Sequence, residues 1–200
     1  MNEKKNLTTE ETFTQALQNH KKNNLQVAEN LYNETLKINP NHVDAHNNLG
    51  VVYKKLGELQ KAKSCYEKAI EINPSYVSAH NNLGIILLLS GEFQKAKSCF
   101  EKTIEINPSN AKAHNNLGIA FQELGELQKA KSCIEKAIEI NPSHVGSYWN
   151  LHSFASDIDE ALTILKKSYE IDNKYIEAKI MISALQGFKG SFNEFDALIT

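Results

Sequence analysis

The feature that most constrains this chain is a six-residue string that occurs three times. The string AHNNLG is found at 45–50, 79–84 and 113–118, so each copy begins 34 residues after the previous one. A fixed period of this length indicates a repeat architecture, in which each repeat is a small helical or strand unit that packs on its neighbours. Internal repetition therefore overrides the expectation that 200 residues make one or two ordinary domains.

The same period continues outside the string. Equivalent positions hold Asn48, Asn82, Asn116 and Asn150; Leu49, Leu83, Leu117 and Leu151; Gly57, Gly91 and Gly125; Ala62, Ala96 and Ala130; and Pro40, Pro74, Pro108 and Pro142. Within each copy, apolar residues recur at three- and four-residue steps, which is typical of one face of a helix. The glycine is placed to end a first helix and the Asn-Pro pair to end a second. Each copy is thus predicted to be an antiparallel pair, an A helix followed by a B helix.

These columns resemble the tetratricopeptide pattern W-x2-L-G-x2-Y…A-x3-F…P. In this chain the pattern reads His46-x2-Leu49-Gly50-x2-Tyr53…Ala62-x3-Tyr66…Pro74. Histidine replaces the usual tryptophan at the first position. The resemblance implies an all-α fold, a right-handed superhelical α-solenoid of antiparallel helix pairs with about five repeats and a partial sixth. It also implies that the A helices line the concave surface.

The predicted array spans 9–175, between a polar lead at 1–8 and a partial terminal repeat at 176–200. Its repeats are 9–42, 43–76, 77–110, 111–144 and a shortened 145–175. The predicted N-terminal caps of the A helices are Asn41, Ser75, Ser109 and Ser143. Thr8 to Glu11 reads as a capping box, and Ser156-Asp157 as the cap of the fifth B helix. His152 replaces the small glycine of the other A helices, so we expect altered stacking there.

Composition excludes several classes of function. The net charge of −2 gives no basic footprint for nucleic acid, and no apolar run approaches the ~18 residues of a membrane span. The polar N-terminus lacks the pattern of a signal peptide, so we expect a cytoplasmic protein. Cys65, Cys99 and Cys133 are also 34 apart. Equivalent positions lie roughly 8–10 Å apart in stacked helices, too far for a disulfide or a shared zinc ion. No cofactor or metal is expected.

The repeated asparagines are the main candidate binding residues. If the A helices line a groove, Asn48, Asn82, Asn116 and Asn150 form a ladder along it, and Asn47, Asn81 and Asn115 widen the polar strip. A carboxamide both donates and accepts, so such a ladder can hold the backbone of an extended peptide. The arrangement resembles the asparagine-lined repeats of O-GlcNAc transferases and their bacterial relatives. Asparagine is about half a kcal/mol worse than alanine in a helix, which favours a function, but recent duplication also copies neutral residues.

Apolar positions beside the ladder are further candidates. Val51, Ile85 and Ile119 form an apolar column. Leu88 and Leu89 stand where neighbouring repeats have polar residues, which predicts a pocket for a ligand side chain or a contact with the adjacent helix. Trp149 replaces an asparagine and is either an anchor for a partner or a core residue. His46, His80 and His114 are expected to pack at the starts of the A helices, since residues one repeat apart cannot share a zinc ion.

No catalytic constellation is found, so we do not expect an enzyme. The sequence predicts a protein–protein interaction scaffold that binds an extended peptide segment. One alternative is the non-catalytic targeting module of a larger transferase. Another is self-assembly, because the apolar residues of 176–200 predict contact with a dimer partner or a downstream domain. These residues are Phe188, Phe192, Phe195, Leu198 and Ile199.

Overall fold

The structure is a computed structural model that describes the backbone of residues 8–199 and the side chains of residues 8–189. Within this part of the chain there are eleven α-helices and no strand. They are α1 (Thr9–Lys21), α2 (Leu25–Ile38), α3 (Val43–Lys55), α4 (Leu59–Ile72), α5 (Val77–Leu89), α6 (Phe93–Ile106), α7 (Ala111–Glu123), α8 (Leu127–Ile140), α9 (Val145–Leu151), α10 (Ile158–Ile171) and α11 (Ile176–Ile199). The predicted all-α class is confirmed. The predicted side-chain roles of Phe192, Phe195, Leu198 and Ile199 lie outside the described residues, as does the lead before Thr8.

The helices fall into two compact units, 1–107 and 108–200. In unit 1, each of the helices α1 to α6 packs against the next, and the A helices α3 and α5 also contact each other. In unit 2, α7 to α11 follow the same order, with a direct contact between α7 and α9. Each unit is therefore a short stack of antiparallel helix pairs, as in an α-solenoid.

A left-handed residue joins the two helices of each of the first four pairs. Gly57, Gly91 and Gly125 have φ values of 79°, 74° and 77°, which glycine adopts without steric cost. The first pair uses Asn23 instead, with φ 61°. Asparagine is among the few other residues that tolerate this region. The predicted helix stops at these positions are confirmed.

The predicted caps of the A helices were wrong by one residue. The N-terminal caps are His42, Tyr76, Asn110 and His144. In three of the four cases the residue before the cap lies in a turn, because the asparagine that precedes the proline accepts the backbone N–H of that residue. Asn39 Oδ1 accepts from Asn41 N and Asn73 Oδ1 from Ser75 N, at 3.1 and 3.0 Å. These turns therefore occupy the residues that we expected to cap.

Two other predicted caps are confirmed. At the start of α1, Thr8 Oγ1 accepts from Glu11 N, and Thr8 N donates to Glu11 Oε2, which is a complete capping box. At the start of α10, Asp157 Oδ1 accepts from Glu160 N at 2.8 Å. Each cap satisfies backbone donors that would otherwise lack a partner in the first turn.

The glycine in the middle of each A helix sets how closely a pair can pack. A Cβ atom on Gly50 would lie 2.6 Å from Tyr66 Cε1, and one on Gly84 would lie 2.5 Å from Phe100 Cε1. Both rings are fully buried. In the fifth repeat this position is His152, and α9 ends at Leu151, directly before it. A short 3-10 turn, His152–Phe154, then leads towards α10. The larger side chain thus accompanies an A helix about half the usual length.

Candidate functional site

In each unit the predicted binding residues lie on the A helices, and we call the solvent-accessible surface of these helices the A-helix face. Most of these side chains are half-buried, so part of each remains accessible to a ligand. They are Asn48, Asn81, Asn82, Asn116, Asn150, Val51, Ile85, Ile119, Leu88 and Trp149. Asn47 and Asn115 are buried, each with 6% exposure, whereas Leu89 is 63% exposed.

In unit 1 three asparagines form a connected chain of hydrogen bonds. Asn82 Nδ2 on α5 donates to Asn47 Oδ1 on α3 at 3.0 Å. Asn47 Nδ2 in turn donates to Asn48 Oδ1 at 3.2 Å. The buried amide of Asn47 thus has a partner on each side, as a buried polar group requires. The bond from Asn82 also links two successive repeats.

Unit 2 has an equivalent arrangement between its A helices α7 and α9. Asn150 Nδ2 on α9 donates to Asn115 Oδ1 on α7 at 2.9 Å, and Ser147 Oγ donates to the same oxygen at 3.2 Å. Asn115 Nδ2 donates to Asn116 Oδ1 at 3.4 Å. Ser147 stands where α3, α5 and α7 have alanine, and its role was not predicted. The serine in place of Ala45, Ala79 and Ala113 was the signal for it.

These contacts change the interpretation of the two asparagine columns. Asn47 and Asn115 hold neighbouring A helices together, and they are almost inaccessible to solvent. Asn48, Asn82, Asn116 and Asn150 are half-buried at the surface of the A-helix face. A side-chain amide has two donor hydrogens and two acceptor lone pairs, so one internal bond leaves capacity for a ligand. All four members of the second column are thus accessible, whereas in the first column only Asn81 is.

The histidines have a structural role that the sequence only partly predicted. Nε2–H of His46, His80 and His114 donates to the carbonyl oxygen of Pro40, Pro74 and Pro108, at 2.8, 2.9 and 3.0 Å. Each bond fixes the start of an A helix to the turn before it. Tyr148 takes the same position in the fifth repeat, and its hydroxyl donates to the carbonyl oxygen of Pro142 at 3.2 Å. A side-chain donor of suitable length is thus used in all four repeats.

The end of α1 borders the asparagine of the following A helix through a tyrosine. Tyr32 Oη lies 3.4 Å from His20 Nδ1. Burial raises the pKa of Tyr32 to about 12, and a hydrogen bond with the side chain of Asn48 opposes that rise. The last turn of α1 therefore lies next to the asparagine of the following A helix. Tyr66 is the equivalent residue of the next repeat, and its buried hydroxyl has no hydrogen-bond partner among the described residues.

Trp149 lies in an aromatic cluster rather than alone at the end of the strip. Its ring centroid is 4.8 Å from that of His152 and 5.7 Å from that of Tyr175, the latter edge to face. The indole thus contributes to packing between α9 and the segment before α11, and it remains half-buried.

The cysteines are half-buried thiols. Burial raises the pKa of Cys65 and of Cys99 to about 11, so both are protonated at neutral pH. Across residues 8–189, no three His, Cys, Asp or Glu side chains are grouped so that they could hold a metal ion. None of the described helices combines the length and the apolar character needed to cross a membrane.

Comparison with known proteins identifies the repeat. A family model described as tetratricopeptide repeat matches residues 43–76, 77–110 and 111–144, and a TPR repeat model matches residues 17–57. No curated protein matches the chain. The narrower resemblance to O-GlcNAc transferases stays a prediction.

Solved structures with the same fold cover most of the chain. A structure of MamA is 26% identical, with a TM-score of 0.68 over 81% of this chain and 96% of that chain. TTC0263, a thermophilic TPR protein of Thermus thermophilus, is 20% identical, with a TM-score of 0.74 over 90% and 99%. YrrB, described as a TPR protein with an unusual peptide-binding site, is 21% identical, with a TM-score of 0.66 over 87% and 91%.

Together these matches support a protein–protein interaction scaffold, and the tetratricopeptide fold is in general a non-catalytic interaction module. The family-model matches extend over more than half of the residues. The chain belongs to the tetratricopeptide repeat family.

Proposed function

We propose that this protein binds an extended peptide segment of a partner on the A-helix face of either unit, through the amides of Asn48 and Asn82 in unit 1 and those of Asn116 and Asn150 in unit 2. The observation that carries the proposal is the set of hydrogen bonds between asparagines within each unit. They hold the accessible amides in defined positions before a ligand arrives. Pre-organised groups lose less conformational entropy on binding than mobile ones.

The apolar column beside the amides supports the same function. Val51 and Ile85 in unit 1, and Ile119 in unit 2, lie three residues after an asparagine of the row and are half-buried. Residues three apart share one side of a helix. A peptide backbone on the amides would thus place alternate side chains over an apolar surface.

A peptide array probed with the purified protein tests this function. The test variant is Asn48→Ala with Asn82→Ala, and the matched control is Gln60→Ala with Gln94→Ala. The control removes two exposed amides, one repeat apart, from the B helices α4 and α6. We expect wild type and control to bind the same peptides, and the asparagine variant to lose most of that binding. Circular dichroism of each variant checks that it remains folded at the assay temperature.

Two outcomes would contradict the proposal. If the folded asparagine variant binds the same peptides as tightly as wild type, the amides take no part in recognition. If wild type binds no peptide on a diverse array, extended-peptide binding itself is wrong.

Self-assembly is a second candidate function, and one observation favours it. Ile176, Ile180, Ala184 and Phe188 follow each other at four-residue steps on α11, and all four are exposed. The exposures of Ile176, Ile180 and Phe188 are 64%, 64% and 62%. An apolar stripe of this kind marks an interaction surface. Light scattering across a range of concentrations, with wild type and Ile180→Glu, tests it. A wild type that stays monomeric at all concentrations would rule it out.

A further inference from the structure

The last turns of the A helices in unit 1 differ from one another in a way that points to a kind of ligand. The helix α1 ends with His20 and Lys21 and is capped by Lys22. The helix α3 ends with Lys54 and Lys55. At the same positions α5 has Leu88 and Leu89. Two basic helix ends are thus followed by an apolar one.

The charges of the two basic ends are not neutralised within the described part of the chain. Every lysine of α4 and α6 pairs with a glutamate: Lys61 with Glu58, Lys63 and Lys95 with Glu92, Lys68 with Glu71, Lys97 with Glu101, and Lys102 with Glu105. By contrast, Lys21, Lys22, Lys54 and Lys55 form no ion pair with any described residue. Burial lowers the pKa of His20, and the positive charge of Lys55 lowers it further. The charge of Lys55 on α3 therefore acts on the last turn of α1.

Lys21 and Lys22 at the end of α1, together with Lys54 and Lys55 at the end of α3, form what we call the basic strip. It lies beside the proposed peptide-binding amides. Tyr32 Oη lies near His20 Nδ1, and the side chain of Asn48 is close enough to the tyrosine to oppose the rise in its pKa. The tyrosine contact does not recur in the next repeat, since the hydroxyl of Tyr66 has no partner among the described residues. On α3, however, Asn48, Val51 and Lys54 follow at three-residue steps, which places them along one side of the helix. A peptide that follows the amides therefore passes the ends of α1 and α3.

The apolar end lies on the same side of its helix as the amide. On α5, Asn82, Ile85 and Leu88 follow at three-residue steps, which places them along one side of the helix. Leu88 is half-buried, and Leu89 is 63% exposed. Leucine side chains carry no charge that could interact favourably with the helix dipole, and exposing them to water is unfavourable. An aliphatic side chain from a ligand would cover them.

We propose that unit 1 recognises an acidic peptide segment with one aliphatic residue about three positions from its carboxylates. The carboxylates would contact Lys54 and Lys55, and the aliphatic side chain would pack on Leu88 and Leu89. Lys21 and Lys22 would attract any further acidic residue about three positions to the other side. Packed helices lie roughly 8–10 Å apart, and an extended peptide advances about 3.3 Å per residue, which gives the spacing of about three. This inference rests on the proposed peptide-binding function and specifies the ligand.

Fluorescence anisotropy with short labelled peptides tests the inference on the full chain. The probe peptide carries adjacent aspartate and glutamate residues and one leucine about three positions away, in two versions with the leucine on either side. One reference peptide has serine in place of the leucine, and another has asparagine and glutamine in place of the acids. A single-stranded oligonucleotide of similar length serves as a competing polyanion.

The protein variants use residues that other repeats already hold at these positions. Lys54→Leu with Lys55→Leu gives the third repeat's residues to the second, and Leu88→Lys with Leu89→Lys does the reverse. The control is Lys61→Gln with Lys68→Gln, which removes two lysines of α4 that pair with glutamates.

We expect the lysine-to-leucine variant to bind the acidic probe about tenfold more weakly, as expected for the loss of two charge pairs near the surface. The leucine-to-lysine variant should no longer prefer the leucine probe over the serine reference. Binding by wild type should weaken as salt rises. The control should bind like wild type.

Several results would overturn the inference. These are equal binding by wild type and the lysine-to-leucine variant, no preference for the leucine probe, or tighter binding of the oligonucleotide than of the peptide. If array peptides without the acidic and aliphatic pattern bind through the asparagines, the proposed function stands and this inference alone fails. If no peptide binds in either experiment, both fail.

Discussion

The substitution Gly84→Ala offers a sharp test of how the helix pairs are held together. Alanine is normally the better residue inside a helix, by about 1 kcal/mol. Here the added Cβ would lie 2.5 Å from Cε1 and 2.7 Å from Cζ of Phe100. Ordinary contacts of this kind are 3.4–4 Å, so the ring or the helix has to move by about 1 Å. Phe100 is fully buried, and protein interiors are close-packed, so a shift of its ring displaces the neighbouring side chains.

The expected net effect is a loss of stability. Forcing an extra methyl group into a well-packed core costs typically 1–3 kcal/mol, and the helix propensity of alanine returns about 1 kcal/mol of that. We therefore expect Gly84→Ala to lower the free energy of unfolding by up to about 2 kcal/mol. The matched control is Gly187→Ala on α11, where a Cβ would meet no described atom within 4 Å. That substitution should raise the stability by about 0.5–1 kcal/mol.

Urea unfolding followed by circular dichroism at the helical band measures both effects. The two variants should shift the unfolding midpoint in opposite directions, although the chemical change is the same. In addition, Phe100→Leu should cost less free energy in the Gly84→Ala background than in wild type, because the smaller side chain relieves the contact. If Gly84→Ala unfolds at the same urea concentration as wild type or a higher one, close packing at this glycine does not limit the pair.

Three further outcomes follow from single contacts. Tyr66→Phe should raise the free energy of unfolding, measured in urea, by about 1 kcal/mol, because it removes a buried hydroxyl that has no partner among the described residues. Tyr32→Phe loses a contact with His20 and should not raise the stability. In the folded protein, Cys65 and Cys99 should react far more slowly with Ellman's reagent at pH 8 than in the urea-unfolded chain. The reason is that a pKa of about 11 lowers the thiolate fraction about 100-fold. Equal rates would contradict the burial of these thiols. His80→Phe should lower the free energy of unfolding by about 1 kcal/mol in urea, whereas His80→Tyr keeps a donor for the proline carbonyl and should stay close to wild type.

The fold could be predicted from the sequence because its determinants are local and repeated. The apolar period, the turn glycines and the Asn-Pro pairs each act within a few residues, and three nearly identical copies reinforce them. Even the exception at Asn23 follows from a known backbone preference. The caps were misplaced because Asn39 and Asn73 use their side chains in a competing turn. A residue-by-residue cap preference does not include that competition.

The candidate site was less predictable because adjacent asparagines have identical chemistry. Nothing in the pair Asn47-Asn48 indicates which amide is buried, since this depends on how the next A helix stacks. The basic strip was also missed. Lys54 and Lys55 look like the other lysines of the chain until their lack of ionic partners among the described residues is known.

The buried amides also change one argument for function. Two asparagines in each helix oppose helix propensity, which favours a function for them unless packing supplies a compensating gain. The structure supplies one: Asn115 Oδ1 accepts two hydrogen bonds, from Ser147 and Asn150, in a site with 6% exposure. A buried carbonyl without partners costs about 1–3 kcal/mol, so once Asn115 is buried, stacking by itself favours a hydrogen-bond donor at Asn150. Repetition of the pair is therefore no longer an argument for recognition by itself.

Comparing binding with stability can separate two roles of the asparagines, joining repeats and holding a peptide. Asn82→Ala removes the donor to the buried Asn47 and should lower stability as well as binding. If the asparagines only join repeats, binding should fall only in proportion to the unfolded fraction, and it should recover at low temperature or with a stabilising substitution such as Gly187→Ala. If they hold a peptide, the dissociation constant should rise even where circular dichroism shows complete folding. Affinity measured on fully folded protein therefore separates the two roles of the same side chain.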